Sequence, residues 1–271
     1  MTRRYAVVGN PVGHSLSPAI HRMFSQQTGI ELEYEALLAP LDGFVRAVAA
    51  FFEAGGSGVN VTLPFKEAAF DWVTSCDEYA GAAGAVNTIV ASDRAYRGYN
   101  TDGIGLVNDL TVNLGYSLAG RRILVLGAGG AVRGILGPLL GASPARIVVA
   151  NRTRSRAQEL IDRLEDPRLR ACDAERLDEA SFDVVINGTS AGLVGAMPKV
   201  PEGAIAGSLV YDMVYGANAK PFCGWALANG ASAAVDGLGM LVEQAAEAFR
   251  LFHGVRPDGA AVLRRLRDEQ A

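Results

Sequence analysis

An apolar run ending in clustered glycines, Arg122-Ile123-Leu124-Val125-Leu126-Gly127-Ala128-Gly129-Gly130-Ala131, leaves this stretch of chain few conformations. Residues rich in Ile, Leu and Val read as a buried parallel strand, and the glycines permit an abrupt turn into a helix. The first N–H groups of that helix have no carbonyl partners within it, so they are free to hold a phosphate. The pattern predicts a dinucleotide-binding unit with Gly127, Ala128, Gly129, Gly130 and Ala131 at the pyrophosphate. Regular spacing would put a third small residue at Val132, so the fingerprint is a variant. Arg146-Ile147-Val148-Val149-Ala150 reads as the second strand, at whose end an NAD site sets an acid against the ribose 2′-hydroxyl. This chain continues instead as Asn151-Arg152-Thr153-Arg154-Ser155-Arg156. Forked guanidinium donors, Arg152 and Arg156 foremost, match the oxygens of a 2′-phosphate, and no carboxylate repels it. These residues lead us to expect NADP as cofactor.

The glycine loop begins at residue 127 of 271, which leaves room in front for another domain of ordinary size. A net charge of −4 provides no basic field for nucleic acid or an anionic membrane, so the arginines near Arg152 read as a local patch. No apolar run reaches bilayer length, and Gly9-Asn10-Pro11 interrupts the first strand before a signal-peptide core could form; the expectation is a cytoplasmic protein. Cys76, Cys172 and Cys223 are dispersed and odd in number, which fits reduced thiols. His14, His21 and His253 lack paired spacing, so no metal site is expected.

In the first hundred residues short strands alternate with helices. Tyr5 to Val8 is a strand; Ser17 reads as an N-cap and Pro18 as the first helical residue. Glu33 to Leu38 is a strand, Asp42 caps a helix carrying Phe44, Val48, Phe51 and Phe52, and Gly58 to Val61 is a strand. A short helix follows Pro64. Asn87 to Val90 and Tyr96 to Tyr99 form a hairpin turned at Ser92-Asp93-Arg94, which makes this half α/β with an antiparallel pair. A helix after Asp102 leads to the nucleotide unit. There strands at 122–126, 146–150, 183–186, 209–213 and 232–235 alternate with helices, implying a doubly wound, mainly parallel sheet. Leu241, Ala245, Ala248, Phe249 and Phe252 mark a helix, and Pro257-Asp258 opens the last one.

Polar residues in the front half cluster at strand ends, where an open α/β sheet places ligands. They fall in Asn10 to Pro18, Asn60 to Lys66, Gly84 to Thr88 and Asn100 to Gly103. Each has a plain structural use: Ser17 can cap a helix, Asn87 can satisfy a hairpin backbone group, Thr101 and Asp102 can cap the next helix, and Lys66 can be solvated. Jointly, neutral hydroxyls and amides with one Lys and one Asp suit a small polyhydroxylated acid, whose hydroxyls need matched donors and acceptors.

Taken together, these segments resemble the shikimate dehydrogenases over essentially the whole chain. The matching pieces, in order, are Ser15-Leu16-Ser17-Pro18, Asn60-Val61-Thr62 with Lys66, Gly84 to Thr88, Asn100-Thr101-Asp102-Gly103, the glycine loop, Asn151-Arg152-Thr153, Asn187-Gly188-Thr189, Asp212 to Tyr215, and Gly237 to Gln244. The resemblance implies a discontinuous α/β substrate domain, residues 1–102 plus 237–271, a Rossmann-type NADP domain, residues 103–236, and an active cleft between them. It implies NADPH-dependent, reversible reduction of 3-dehydroshikimate to shikimate by a monomer or homodimer. Carried over by position, Ser15 and Ser17 would hold the substrate carboxylate with Tyr215 beside them. Asn60, Thr62, Asn87 and Gln244 would bind or frame the ring hydroxyls, and Lys66 with Asp102 would form the catalytic pair. Thr153, Thr189, Met213 and Gly237 would join the glycine loop, Asn151, Arg152 and Arg156 around the cofactor. Two other readings stand beside this one: a quinate/shikimate or aminoshikimate dehydrogenase, and a nonenzymatic NADP-binding regulator. An acid after the second strand, or threonine at the second serine, would favour the quinate enzyme, and this chain has neither. Loss of the lysine-aspartate pair would favour the regulator, and Lys66 and Asp102 are both present.

Overall fold

Tyr5 to Gly9 is buried on both faces, so β1 (Arg3–Gly9) is a central strand. The computed structural model describes residues 2–92, 95–177, 181–194 and 196–269. After β1 the chain runs α1 (Ser17–Thr28), β2 (Leu32–Leu38), α2 (Phe44–Glu53), β3 (Gly56–Val61), α3 (Lys66–Trp72), β4 (Ser75–Cys76), α4 (Glu78–Ala83), β5 (Thr88–Ser92), β6 (Ala95–Tyr99) and α5 (Asp102–Asn108). Six strands form one sheet in the order β2-β1-β3-β5-β6-β4. β1 pairs parallel with β2 and β3, while β5 runs antiparallel to both β3 and β6. Along β2 exposure alternates and Glu33 and Glu35 face solvent, which protects this edge from pairing with another chain. Asp93 and Arg94 of the expected hairpin turn lie outside the described residues.

Two expected caps are displaced. Leu16, not Ser17, is the N-cap of α1, and Ser17 is the first helical residue beside Pro18. Gly43, not Asp42, is the N-cap of α2. Neither helix start has a side-chain cap; Ser15 Oγ accepts from Ser17 N at 3.3 Å instead, so the hydroxyl of Ser17 is not spent on its own helix.

The second sheet begins at β7 (Arg122–Leu126), followed by α6 (Gly130–Gly141), β8 (Arg146–Asn151), α7 (Arg154–Asp162), β9 (Leu169–Asp173), β10 (Val184–Asn187), α8 (Glu202–Ile205), β11 (Leu209–Asp212), α9 (Lys220–Ala228) and β12 (Ala233–Val235). Its six strands are ordered β12-β11-β10-β7-β8-β9, and every pairing is parallel. Ile123 and Val125 pack into one core and Leu124 and Leu126 into another, as expected of a strand covered by helices on both sides. The strand order reverses at β7, so the glycine loop after it stands at the topological switch point, where open α/β sheets bind ligands.

Two long elements close the chain, α10 (Leu238–His253) and α11 (Gly259–Asp268). One compact unit comprises Met1–Gly105 and Leu241–Ala271, the other Leu106–Met240, so the chain crosses between them inside α5 and α10. Within the first unit Gln27 of α1 exchanges two hydrogen bonds with the backbone of Asp258, and Phe252 packs on Tyr5. Among the described residues no helix is long and apolar enough to cross a membrane, and no group of three or more His, Cys, Asp or Glu is placed to hold a metal ion.

His21 lies wholly buried in the first unit, stacked on Tyr34 at 4.1 Å, with neither ring nitrogen hydrogen-bonded. Burial, reinforced by nearby His253, lowers its pKa from 6.5 to about 3. The unfolded chain therefore takes up this proton as pH falls through 6.5, while the folded protein resists until near pH 3. Its contribution to stability is complete above pH 6.5 and falls by about 1.4 kcal/mol per pH unit below it, a loss of about 2 kcal/mol by pH 5. His21→Phe should accordingly show a weaker decline in melting temperature between pH 7 and pH 5 than the wild type. Equal declines would remove His21 as the cause.

Candidate active site

The C-terminal ends of β1, β3 and β6 and the start of β5 carry the polar residues of the first unit. Lys66, the first residue of α3, places Nζ 2.5 Å from Asp102 Oδ2 at the start of α5. Both side chains are largely enclosed, which strengthens their attraction relative to a surface pair. Asn87 lies between β5 and these residues. Its Nδ2 donates to Asp102 Oδ1 at 2.8 Å and to Thr101 Oγ1 at 2.9 Å, while its Oδ1 accepts from Thr101 N. Gln244 of α10 completes the group, with Oε1 3.4 Å from Asn87 Nδ2 and 3.3 Å from Thr101 Oγ1. Thus Lys66, Asn87, Asp102 and Gln244 meet, although 157 positions separate Asn87 from Gln244.

Asn60 is buried, and both ends of its amide are occupied. Oδ1 accepts from the Tyr34 hydroxyl at 2.7 Å, and Nδ2 donates to Thr88 Oγ1 and to the backbone oxygen of Asn87. It therefore holds its neighbours in place. Thr62 follows β3, where its N–H bonds Val8 O while its side chain meets Gly9. Ser15 and Ser17 lie in the turn after β1 and at the start of α1, with Ser17 buried and Ser15 partly so. The geometry adds Tyr34, Thr88 and Thr101 to the residues singled out from sequence. Thr88 and Thr101 sit in polar motifs, but nothing in the pattern of β2 separates Tyr34 from an ordinary strand tyrosine.

In the second unit Gly127 has φ +101°, a conformation that glycine alone adopts readily, and a Cβ there would come within 3.2 Å of Gly188 O. Gly129 is the N-cap of α6 without a side-chain cap, and a Cβ on it would meet nothing within 4 Å. An open cradle thus faces uncapped helix N–H groups, which suits a phosphate. Val132 is tolerated where a third small residue was expected because the close approach is made by Gly188, whose added Cβ would lie 2.5 Å from Val132 Cγ2. Asn187 Oδ1 accepts from both Thr189 N and Thr189 Oγ1, and Met213 N donates to Asn187 O. Gly237 N bonds Val214 O, bringing these loops together at one end of the sheet.

At the end of β8, Asn151 Nδ2 donates to Thr153 O, which turns the loop. Arg152, Arg154 and Arg156 are exposed, and none has an ion pair or side-chain hydrogen bond among the described residues. Those guanidiniums remain available to an anion. Tyr215 follows β11, and burial raises its pKa. Nearby Asp212 is buried with Oδ2 unpartnered, and burial raises its pKa to about 6.

Three family models match in chain order: the shikimate dehydrogenase substrate binding domain at residues 7–89, shikimate / quinate 5-dehydrogenase at 109–195, and the shikimate 5′-dehydrogenase C-terminal domain at 237–267. A protein of Alkalilimnicola ehrlichii named shikimate dehydrogenase (NADP(+)) is 56% identical, over 99% of this chain and 100% of its own length. The chain belongs to the shikimate dehydrogenase family. Two crystal structures extend the likeness to the fold. An Ael1 enzyme from Pseudomonas putida superposes with TM-score 0.94 at 44% identity, covering 98% of each chain. The shikimate 5-dehydrogenase of Thermus thermophilus, in complex with NADP(H) and shikimate, superposes with TM-score 0.83 at 35% identity, covering 97% of this chain and 99% of that one.

Proposed function

We propose that this chain catalyses the reversible, NADPH-dependent reduction of 3-dehydroshikimate to shikimate, the fourth step of the shikimate pathway, in the cytoplasm. The observation that carries the reading is the enclosed Lys66–Asp102 pair, bonded directly at 2.5 Å with Asn87 donating to the second carboxylate oxygen, in a chain whose other unit has a glycine loop followed by arginines. A regulator that only binds the nucleotide has no need of such a pair. Among the described residues Cys76, Cys172 and Cys223 are not joined in disulfides, in keeping with the proposed compartment.

Gly127 to Ala131, Asn151 and Thr153 would hold the cofactor with Thr189, Met213 and Gly237, and Arg152 and Arg156 would grip its 2′-phosphate. When bound, the nicotinamide supplies or accepts the hydride. In the reductive direction Lys66 donates a hydrogen bond to the C3 oxygen and passes it a proton as negative charge develops there. Asp102 accepts from Lys66 and aims Nζ, while Asn87 and Gln244 frame the neighbouring hydroxyls. Ser15 and Ser17 bind the carboxylate, and Tyr215 is a further substrate-binding residue.

The test is a steady-state assay of shikimate-dependent NADP⁺ reduction, with quinate and NAD⁺ as comparators. Shikimate with NADP⁺ should be the preferred pair; faster turnover of quinate, or no turnover of shikimate, would overturn the assignment. The serines make a separate prediction. Ser15→Ala and Ser17→Ala should each raise KM for shikimate by about tenfold and leave KM for NADP⁺ unchanged, because a charged group left without a donor costs on the order of 1.4 kcal/mol. A double alanine variant that melts normally and keeps wild-type shikimate kinetics would remove both from the site.

A further inference from the structure

The Lys66–Asp102 pair lies at one end of a hydrogen-bond chain in which every donor points the same way and which runs back to Tyr34, whose hydroxyl also faces the Ser17 side chain. Backbone groups settle the directions. Thr101 N–H can only donate, so the Asn87 atom 2.9 Å away is the carbonyl oxygen Oδ1, and Nδ2 must face Asp102. Asn87 O can only accept, so the Asn60 atom facing it is Nδ2, and Oδ1 must face Tyr34. Thr88 Oγ1 lies 2.9 Å from Asn60 Nδ2 and 3.0 Å from Asn87 Oδ1, so its hydroxyl accepts from the first and donates to the second. Tyr34 O–H therefore donates to Asn60, Asn60 to Thr88, Thr88 to Asn87, Asn87 to the Asp102 carboxylate. Lys66 donates to that same carboxylate from the other side. Asn60, Asn87 and Thr88 are buried, which excludes water as a ready substitute for a lost donor.

We infer that Tyr34 is a positioning residue for the reaction, its hydroxyl orienting Asp102, and through it Lys66, by way of Asn60, Thr88 and Asn87. The inference rests on the proposed reaction. Aligned donors polarise one another, and without the first of them the buried Asn60 oxygen has no partner, so its amide is free to turn and the set of donors aimed at Asp102 loosens. Tyr34 need not touch substrate or cofactor for this.

The experiment is Tyr34→Phe, which keeps the ring stacked on His21 and removes only the hydroxyl. With shikimate and NADP⁺ the expected result is a five- to tenfold fall in kcat, unchanged KM for NADP⁺ and a melting temperature well above that of the assay. Repeated in a Lys66→Ala background, the substitution should have no further effect, because Tyr34 acts through that lysine; a merely structural loss would multiply in both backgrounds. Thr88 provides a second route to the same answer: Thr88→Val should reproduce the loss, and Thr88→Ser, which retains the hydroxyl, should restore at least half of wild-type kcat. Tyr34→Phe within twofold of wild type, or equal fold-losses with and without Lys66, would overturn the inference while leaving the proposed reaction standing. A wild-type protein inactive on shikimate would overturn both.

Discussion

Lys66→Ala is expected to lower kcat for shikimate oxidation by about 10²-fold or more and to change KM for shikimate much less. In this direction Lys66 accepts the C3 hydroxyl proton as the hydride leaves, and the ammonium so formed faces the negative charge developing on that oxygen, so most of the interaction exists in the transition state and little in the bound ground state. The geometry sharpens this expectation. Nζ lies 2.5 Å from Asp102 Oδ2, and Asn87 occupies Oδ1, so the carboxylate is held from both sides and the lysine has one favoured direction. Asp102→Asn should be similarly slow, since it replaces the charge that aims Nζ by a neutral amide. The double variant should be about as slow as the worse single one if the pair acts as a unit. Steady-state kinetics at neutral pH, with NADPH binding followed by fluorescence to show that the nucleotide site is intact, provide the measurement. Near-normal kcat in Lys66→Ala would return this residue to an ordinary structural role.

The second large effect concerns the nucleotide. Wild-type protein is expected to prefer NADP⁺ to NAD⁺ by at least about tenfold in kcat/KM, and Arg152→Ala should erase most of that preference by raising KM for NADP⁺ alone. A charge-assisted contact to a phosphate dianion contributes more than about 1.4 kcal/mol, the equivalent of a tenfold change. Exposed ion pairs between side chains are often worth less. Here the guanidiniums of Arg152, Arg154 and Arg156 have no ion pair or side-chain hydrogen bond among the described residues, so no existing partner must be given up to bind the phosphate. Since the effect is electrostatic and near the surface, the preference should also shrink with added salt. Equal use of both nucleotides by the wild-type protein would refute the role given to Arg152.

Elements whose cause is local are legible in the chain. A run of Ile, Leu and Val between turn signals can be recognised as a buried strand because its period is written in adjacent residues, and β7 and β8 follow from it. The glycine loop is legible for the same reason, since a turn with φ near +100° admits glycine and little else. Arginine in place of an acid after β8 needs no contact map either; charge type alone carries that argument. Caps were less legible. Ser17 and Asp42 both have the chemistry of an N-cap, yet Leu16 and Gly43 hold those positions, because the packing of a helix selects its first turn and propensity only biases the choice.

Which polar residues meet depends on how the folded chain packs. Thirty-six positions separate Lys66 from Asp102, and 157 separate Asn87 from Gln244; no period in the chain links such distant residues. The same holds for Tyr34, whose place in β2 reads as plain strand until β1 and β3 bring its hydroxyl to Asn60. It holds as well for Val132, acceptable in the glycine fingerprint because Gly188, in the loop just after β10, has no side chain at the point of closest approach. Local pattern specifies backbone conformation because the forces involved act over a few residues. The directions of buried hydrogen bonds are specified by whichever groups packing excludes from water together, and that is a property of the folded chain.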